Sequence, residues 1–214
     1  MSLRRFTRAI PFNYEDRGIY SIGATTGIMA AGLAAGSEIF QFRWAPADTD
    51  LIAAIQKIWI DASVSTTFFA AGVPCRFDLA PATSWTAAGT GGSGITPSTG
   101  LKLDTEMADT AVAAGDIRIA STAALGAGTK TLGLNIGNLS AGGPITASLN
   151  GTILPPQSPL FEADVASGEH PLVLRDEQGF AIRATVPGTG TWSATVHVLW
   201  AETTSYPFGR LRST

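Results

Sequence analysis

Hydrophobic and polar residues alternate most cleanly between His170 and Glu202. Phe180, Ile182, Ala184 and Val186 fall on one side of an extended chain, with Ala181, Arg183 and Thr185 on the other. Further on, Trp192, Ala194, Val196, Val198 and Trp200 share a side, opposite Ser193, Thr195 and His197. Side chains alternate faces along a strand, so a period of two marks strands with one buried face. Between these runs lies Pro187-Gly188-Thr189-Gly190-Thr191, and Asp176-Glu177-Gln178-Gly179 follows the apolar run Leu172–Leu174. Both stretches are rich in residues that set turn dihedrals. The pattern predicts a C-terminal meander of three strands, ending in one rich in Trp.

Upstream the same period recurs in shorter pieces. Gly18 to Ile28 reads as a first strand, and the Ala- and Gly-rich stretch Met29 to Ser37 as a loop. From Glu38 to Trp44, Phe40, Phe42 and Trp44 take one side, Ile39, Gln41 and Arg43 the other. Leu51 to Val64 starts on a helical period (Leu51, Ala54, Ile55, Ile58) and then turns to a period of two. In that second part Ile58, Ile60, Ala62 and Val64 point inward, and Lys57, Trp59, Asp61 and Ser63 outward. Its β-branched content favours one long strand. Pro74 to Leu79 puts Cys75, Phe77 and Leu79 inward; Thr83 to Leu101, with its Gly-rich centre Ala88 to Gly94, reads as a surface loop. Asp104 to Ala114 reads as a short helix or a loop. Ile117 to Ala120, Thr131 to Ile136, Ile145 to Leu149, Gly151 to Leu154 and Leu160 to Val165 complete the strand candidates. Short strands parted by Gly, Pro and Ser turns predict an all-β fold, a jelly-roll-like β-sandwich over residues 18–202. Extended arms are expected at both ends, residues 1–17 and the tail 203–214.

Composition changes this picture in one respect. Only 14% of the 214 residues are charged, against roughly 25% in ordinary soluble domains. A β-rich chain so poor in charge is expected to set much of its surface against other protein. The net charge is −3, so no specific nucleic-acid partner is expected of the chain as a whole. Basic residues gather at the ends: Arg4, Arg5, Arg8 and Arg17 at one, Arg210 and Arg212 at the other. Phe6, Ile10, Phe12 and Tyr14 are interleaved with the first group. A solvated tail is the plain reading of such a segment. An arm that docks on a neighbouring subunit and orders there is the functional one. Ser2-Leu3-Arg4-Arg5-Phe6 resembles a twin-arginine signal, but Asn13, Glu15, Asp16 and Arg17 follow where an apolar run belongs. Glycines break the apolar stretch Ile22 to Ala35, so neither a signal nor a membrane segment is expected.

Candidate chemistry is sparse. The lone Cys75 alternates with Phe77 and Leu79 and reads as a core thiol; it forms no disulfide framework. Neither His170 nor His197 has a second ligand at metal-binding spacing. Of the carboxylate pairs that could serve glycoside hydrolysis, Asp176/Glu177 falls in a tight turn and Asp104/Glu106 and Glu162/Asp164 flank loops, where acids serve solvation. The glycines of Ala88 to Gly94 lack the strand–loop–helix context of a phosphate loop. No catalytic residue, metal or cofactor is therefore expected. Among the tryptophans, Trp44, Trp192 and Trp200 belong to inward faces, whereas Trp59 points outward and Trp85 lies in the predicted loop. The last two are candidates for partner contact, because aromatic residues concentrate at interface cores.

Several segments together carry a family likeness. Phe77-Asp78-Leu79 with its downstream Gly-rich loop, Gly115 to Leu125, Gly168 to Leu174, Glu177 to Arg183 and Gly190 to Ala194 resemble a family of small virion proteins of tailed bacteriophages, over roughly Gly18 to Glu202. The resemblance implies a non-enzymatic capsid decoration, or cement, protein made in the host cytoplasm and carried on the virion surface. It also implies a homo-trimer that contacts the major capsid protein. Partner contacts are then expected from Arg4, Arg5, Phe6, Arg8, Phe12 and Tyr14 in one arm, from Trp59 and Trp85 on the domain, and from Arg210 and Arg212 in the tail. A head-to-tail or tail-fibre component is the nearest alternative. A carbohydrate- or receptor-binding module using Trp59, Trp85 and residues 86–100 is an alternative of another class.

Overall fold

The computed structural model describes residues 17–30, 32–65, 74–96, 101–141, 152–163 and 169–204. These form two antiparallel sheets packed as a β-sandwich. The strands are β1 (Gly18–Thr25), β2 (Ser37–Trp44), β3 (Ile52–Val64), β4 (Cys75–Ala87), β5 (Ser93–Ile95) and β6 (Ile117–Ile119). They continue with β7 (Thr129–Leu132), β8 (Gly137–Ala141), β9 (Thr152–Glu162), β10 (Leu172–Leu174), β11 (Gln178–Thr185) and β12 (Trp192–Thr203). The first sheet runs β1-β12-β3, with β10 and β9 sharing the far edge of β3. The second runs β5-β6-β2-β11-β4, with β7 and β8 along the far edge of β4.

The expected C-terminal meander is corrected. β10 and β12 both pair with β3 in the first sheet, while β11 lies between β2 and β4 in the second. The chain thus changes sheet at each connection, and the residues between Thr185 and Trp192 form a crossover instead of a hairpin turn. A period of two states which residues share a face. It does not state which sheet owns the strand, and turn-prone residues serve a crossover as well as a hairpin.

The core sits between the facing sheets. Phe42 of the second sheet meets Trp200 of the first edge-on at 5.3 Å between ring centroids, and Phe77 meets Trp192 the same way at 5.8 Å. Phe42 also stacks on Phe180, and Tyr20 on Trp200. Trp44, Trp192 and Trp200, all expected inward, are fully buried. Such pairs add about 0.5–1.5 kcal/mol each beyond the area they bury.

Irregularities in the ladders account for the other departures. Ile39, expected to point out, is fully buried, because the β2–β11 register slips at Ile182/Arg183 and leaves Ile39 without an opposite residue. A bulge re-aims the side chains on either side of it. β4 runs on to Ala87 through what was expected to be loop, with register shifts at Ala82/Ser84 and Trp85/Ala87. Thr152 to Leu154 and Leu160 to Glu162, from candidates expected as separate strands (Gly151 to Leu154 and Leu160 to Val165), belong to the single strand β9, while Gly151, Asp164 and Val165 lie outside the described residues. Pro155, Pro156 and Gln157 (φ 59°) lie inside it, which an edge strand with shifted register tolerates. Strand β1 stops at Thr25 rather than Ile28, and of the Thr131 to Ile136 candidate only Thr131 and Leu132 are strand, in β7, the rest forming the loop before β8. Of the two readings of Asp104 to Ala114, short helix or loop, the structure has the loop. Ile145 to Leu149 lies outside the described residues.

Candidate interaction surfaces

The expected contact residues fall into three groups. Arg4, Arg5, Phe6, Arg8, Phe12, Tyr14, Arg210 and Arg212 lie outside the described residues. Trp59 stands half-buried on the outer face of the first sheet, with the Lys57 ammonium 5.5 Å from its ring centroid. Trp85 is corrected: its side chain is fully buried and offers no surface to a partner or a sugar.

The reason lies in β4. Trp85 follows the slip at Ala82/Ser84 and packs on the outer side of the second sheet, over Gly179. Its indole Nε1 donates to the Ala87 carbonyl at 3.0 Å, its backbone N–H to the Glu177 carbonyl at 2.6 Å, and its carbonyl accepts from Arg43 Nε at 2.8 Å. The Lys130 ammonium lies 4.2 Å from the ring centroid and donates to Glu38 at 2.5 Å. Gln41 donates to the same carboxylate, also at 2.5 Å. Burial pulls the Lys130 pKa down against the pull of Glu38. This polar layer covers part of the second sheet's outer face, so that face is not an open platform.

The outer face of the first sheet is different. Register places Gly23, His197, Trp59 and Pro159 in one row across β1, β12, β3 and β9. The neighbouring row contains Thr25, Thr195 and Asp61. His197 lies over Gly23, where a β-carbon would come within 2.9 Å of Nδ1, and its Nε2 is 3.9 Å from Asp61. Thr25 and Thr195 hydroxyls meet at 3.0 Å, and Lys57 pairs with Glu162 at 2.5 Å. Among the described residues these two rows present mostly polar side chains around one indole, that of Trp59.

At one end of the sandwich Glu202 ties down the segment before β6. Its buried carboxylate accepts from the Thr110 hydroxyl, the Ala111 N–H (2.9 Å) and the Trp200 indole (3.0 Å), with Arg17 Nε at 3.8 Å. Burial raises its pKa, and those donors offset part of that rise. Beside it the Tyr20 hydroxyl donates to the Ala108 carbonyl at 2.8 Å; burial, then Glu202, lifts its pKa to about 12. This arrangement closes the edge of β1, where Leu103 N–H also donates to the Ile19 carbonyl.

Among the described residues the carboxylates considered for chemistry do not converge, and Asp164 lies outside them. Asp104 caps the Glu106 N–H, Glu162 pairs with Lys57, and Glu177 sits in a turn at φ 55°. The Gly-rich loop spends the Gly91 carbonyl on Arg118 at 2.6 Å. Among the described residues no three His, Cys, Asp or Glu side chains gather as a metal-binding group, and no helix is long and apolar enough to cross a membrane.

Sequence reasoning passed over one cluster. On the outer side of β4, Asp78 accepts from Arg76 Nε at 2.9 Å and pairs with Arg76 Nη2 at 2.7 Å, and Asn138 donates to it at 2.6 Å. Arg183, opposite Asp78 in the ladder, donates to Asn135 at 2.6 Å. The signal was present: Arg76 and Asp78 are the polar members of an otherwise apolar alternation.

Large apolar side chains also stand in solvent. Leu134 is 90% exposed, Leu103 62%, Ile28 50% and Ile136 48%. Comparisons with protein-family models, curated proteins and solved structures give no match.

Proposed function

We propose that the chain is a non-enzymatic structural protein of a tailed-phage particle, a decoration protein that stabilises the shell through subunit contacts. The observation that carries this reading is the set of exposed apolar side chains. Leu103 stands at the β1 edge, Ile28 in the loop after β1, and Leu134 with Ile136 at the β4 edge. Apolar contact points spread around one body in a charge-poor chain fit a protein that touches several neighbours at once. The family likeness and the basic arms, with Arg4, Arg5, Arg8, Arg210 and Arg212, support the same reading. Within it we place a jelly-roll-like form of the sandwich, supported by the alternation of β10, β11 and β12 between sheets. A homo-trimer seated on the major capsid protein is the assembly we favour.

The carbohydrate-module alternative loses half its aromatic platform, because Trp85 is buried and only Trp59 of the two is left to face a ligand. Mixing the purified protein with undecorated particles and sedimenting them tests the proposal. Saturable binding at a fixed ratio to the capsid subunit is expected, weakened when residues 2–17 are removed. Failure of full-length protein to bind any particle, with a specific glycan-array signal instead, would overturn it.

A further inference from the structure

We propose that the hollow beside Leu134 receives a carboxylate from an acidic, apolar-flanked segment of a partner protein. This goes beyond the decoration reading and does not rest on it, because it is argued from the hollow's own donors. The hollow has a volume of about 300 Å³ and is lined by Arg76, Asp78, Asn135, Ile136, Gly137 and Asn138.

The polarity of each amide follows from its neighbour. An ionised carboxylate only accepts and a guanidinium only donates. Asn138 therefore turns its NH2 to Asp78 and Asn135 its oxygen to Arg183, which leaves the Asn138 oxygen and the Asn135 NH2 without a partner among the described residues. Arg76 spends Nε and Nη2 on Asp78, and its Nη1 has no partner among the described residues. Arg183 Nε, buried behind Asn135, likewise lacks one. Two guanidinium groups thus face one carboxylate, which leaves the cluster one positive charge in excess. The spare donors are an arginine and an amide, the pair that charge-assisted hydrogen bonding to a carboxylate uses.

The rim supplies the second half of the argument. Leu134 and Ile136, exposed at 90% and 48%, bracket Asn135 in the chain. The adjoining backbone is fixed, because Gly133 N–H donates to the Pro81 carbonyl at 2.7 Å and Ile136 N–H to the Leu79 carbonyl at 2.9 Å. The two apolar side chains are therefore held in solvent by a pinned loop. An acid with an apolar neighbour satisfies both donor and rim, whereas a free anion satisfies only the first.

The full-length protein, labelled with ¹⁵N, is to be titrated at millimolar concentration with three probes: acetyl-Leu-Glu-Leu-amide, its Gln counterpart and acetate. Saturable shifts at the Asn135 and Asn138 side-chain amides are expected with the Glu peptide. Binding should be about tenfold weaker for the Gln peptide and for acetate, and should fall with added salt. Leu134→Ser and Asn135→Ala, both at exposed positions, should each weaken the Glu peptide several-fold while leaving the remaining spectrum in place. No saturable shift with the Glu peptide, an equal response to the Gln peptide, or acetate binding as well as the Glu peptide would overturn the proposal.

Discussion

Trp85 lies directly over the α-carbon of Gly179, so close that a β-carbon on that glycine would stand 2.8 Å from the indole Cε3. Real β-carbons do not approach so near, so any side chain at 179 must displace the indole or the strand. The indole is held on its other side by Lys130, which is itself buried against Glu38. Gly179→Val is therefore expected to destabilise the protein by about 1–3 kcal/mol, the usual cost of overpacking. Urea unfolding with Trp fluorescence measures this. An unchanged midpoint would show that both the indole and the Phe42 carbonyl, which that β-carbon would meet more closely still, can give way.

Trp192 tests the meeting of the sheets. It reaches across to Phe77 at 5.8 Å and is fully buried. Trp192→Ala is expected to lower stability by about 3–5 kcal/mol, the range for truncating a large core aromatic. Trp59→Ala, on the half-exposed outer face, should cost distinctly less. Equal losses for the two variants in thermal unfolding would contradict the inward and outward assignment of these strands.

The alternation along the chain was enough to place Phe40, Phe42, Trp44, Phe77, Trp192 and Trp200 in the core, since a period of two is a direct image of strand geometry. It failed where a ladder slips. Ile39 and Trp85 each sit beside a register shift, and a shift by one residue exchanges the two faces. It was silent on partnership between distant strands, so β11 was joined to β12 by a turn when its neighbours are β2 and β4. The hollow at Asn135 showed only as the polar pair Arg76 and Asp78 in the alternation of β4, because its other polar groups come from the β7–β8 loop, β8 and β11 and meet that pair only through strand pairing.

Cys75 gives a test of the core that needs no substitution. It is 2% exposed at the start of β4, and burial alone lifts its pKa to about 12. Alkylating reagents attack the thiolate, which is scarce at pH 8 for a thiol so raised. Native protein is expected to resist iodoacetamide for hours and to react quickly once unfolded in urea. Rapid labelling of the native protein, followed by mass spectrometry, would place Cys75 at an accessible surface.

The last prediction concerns Glu202 and carries a definite sign. Burial raises its pKa in the folded protein above the ordinary carboxyl value of 4.5. Between those two values the folded protein holds a proton that the unfolded chain has released. Stability changes with pH in proportion to protons bound in the unfolded state minus those bound in the folded state, so it falls as pH rises through this window. Above the window the loss is complete, at about 1.4 kcal/mol for each pH unit the window spans. Glu202→Gln has no proton to lose there. Tyr20, Arg17 and Asp109, the other ionisable groups around the site, are common to both proteins, as is every distant carboxylate. The stability of the wild type minus that of Glu202→Gln is therefore expected to decline from pH 4.5 upward and then level off. Urea midpoints across pH 4 to 8 measure that difference. A difference that climbs with pH would mean that the Thr110, Ala111 and Trp200 donors outweigh burial and hold the carboxylate's pKa below 4.5.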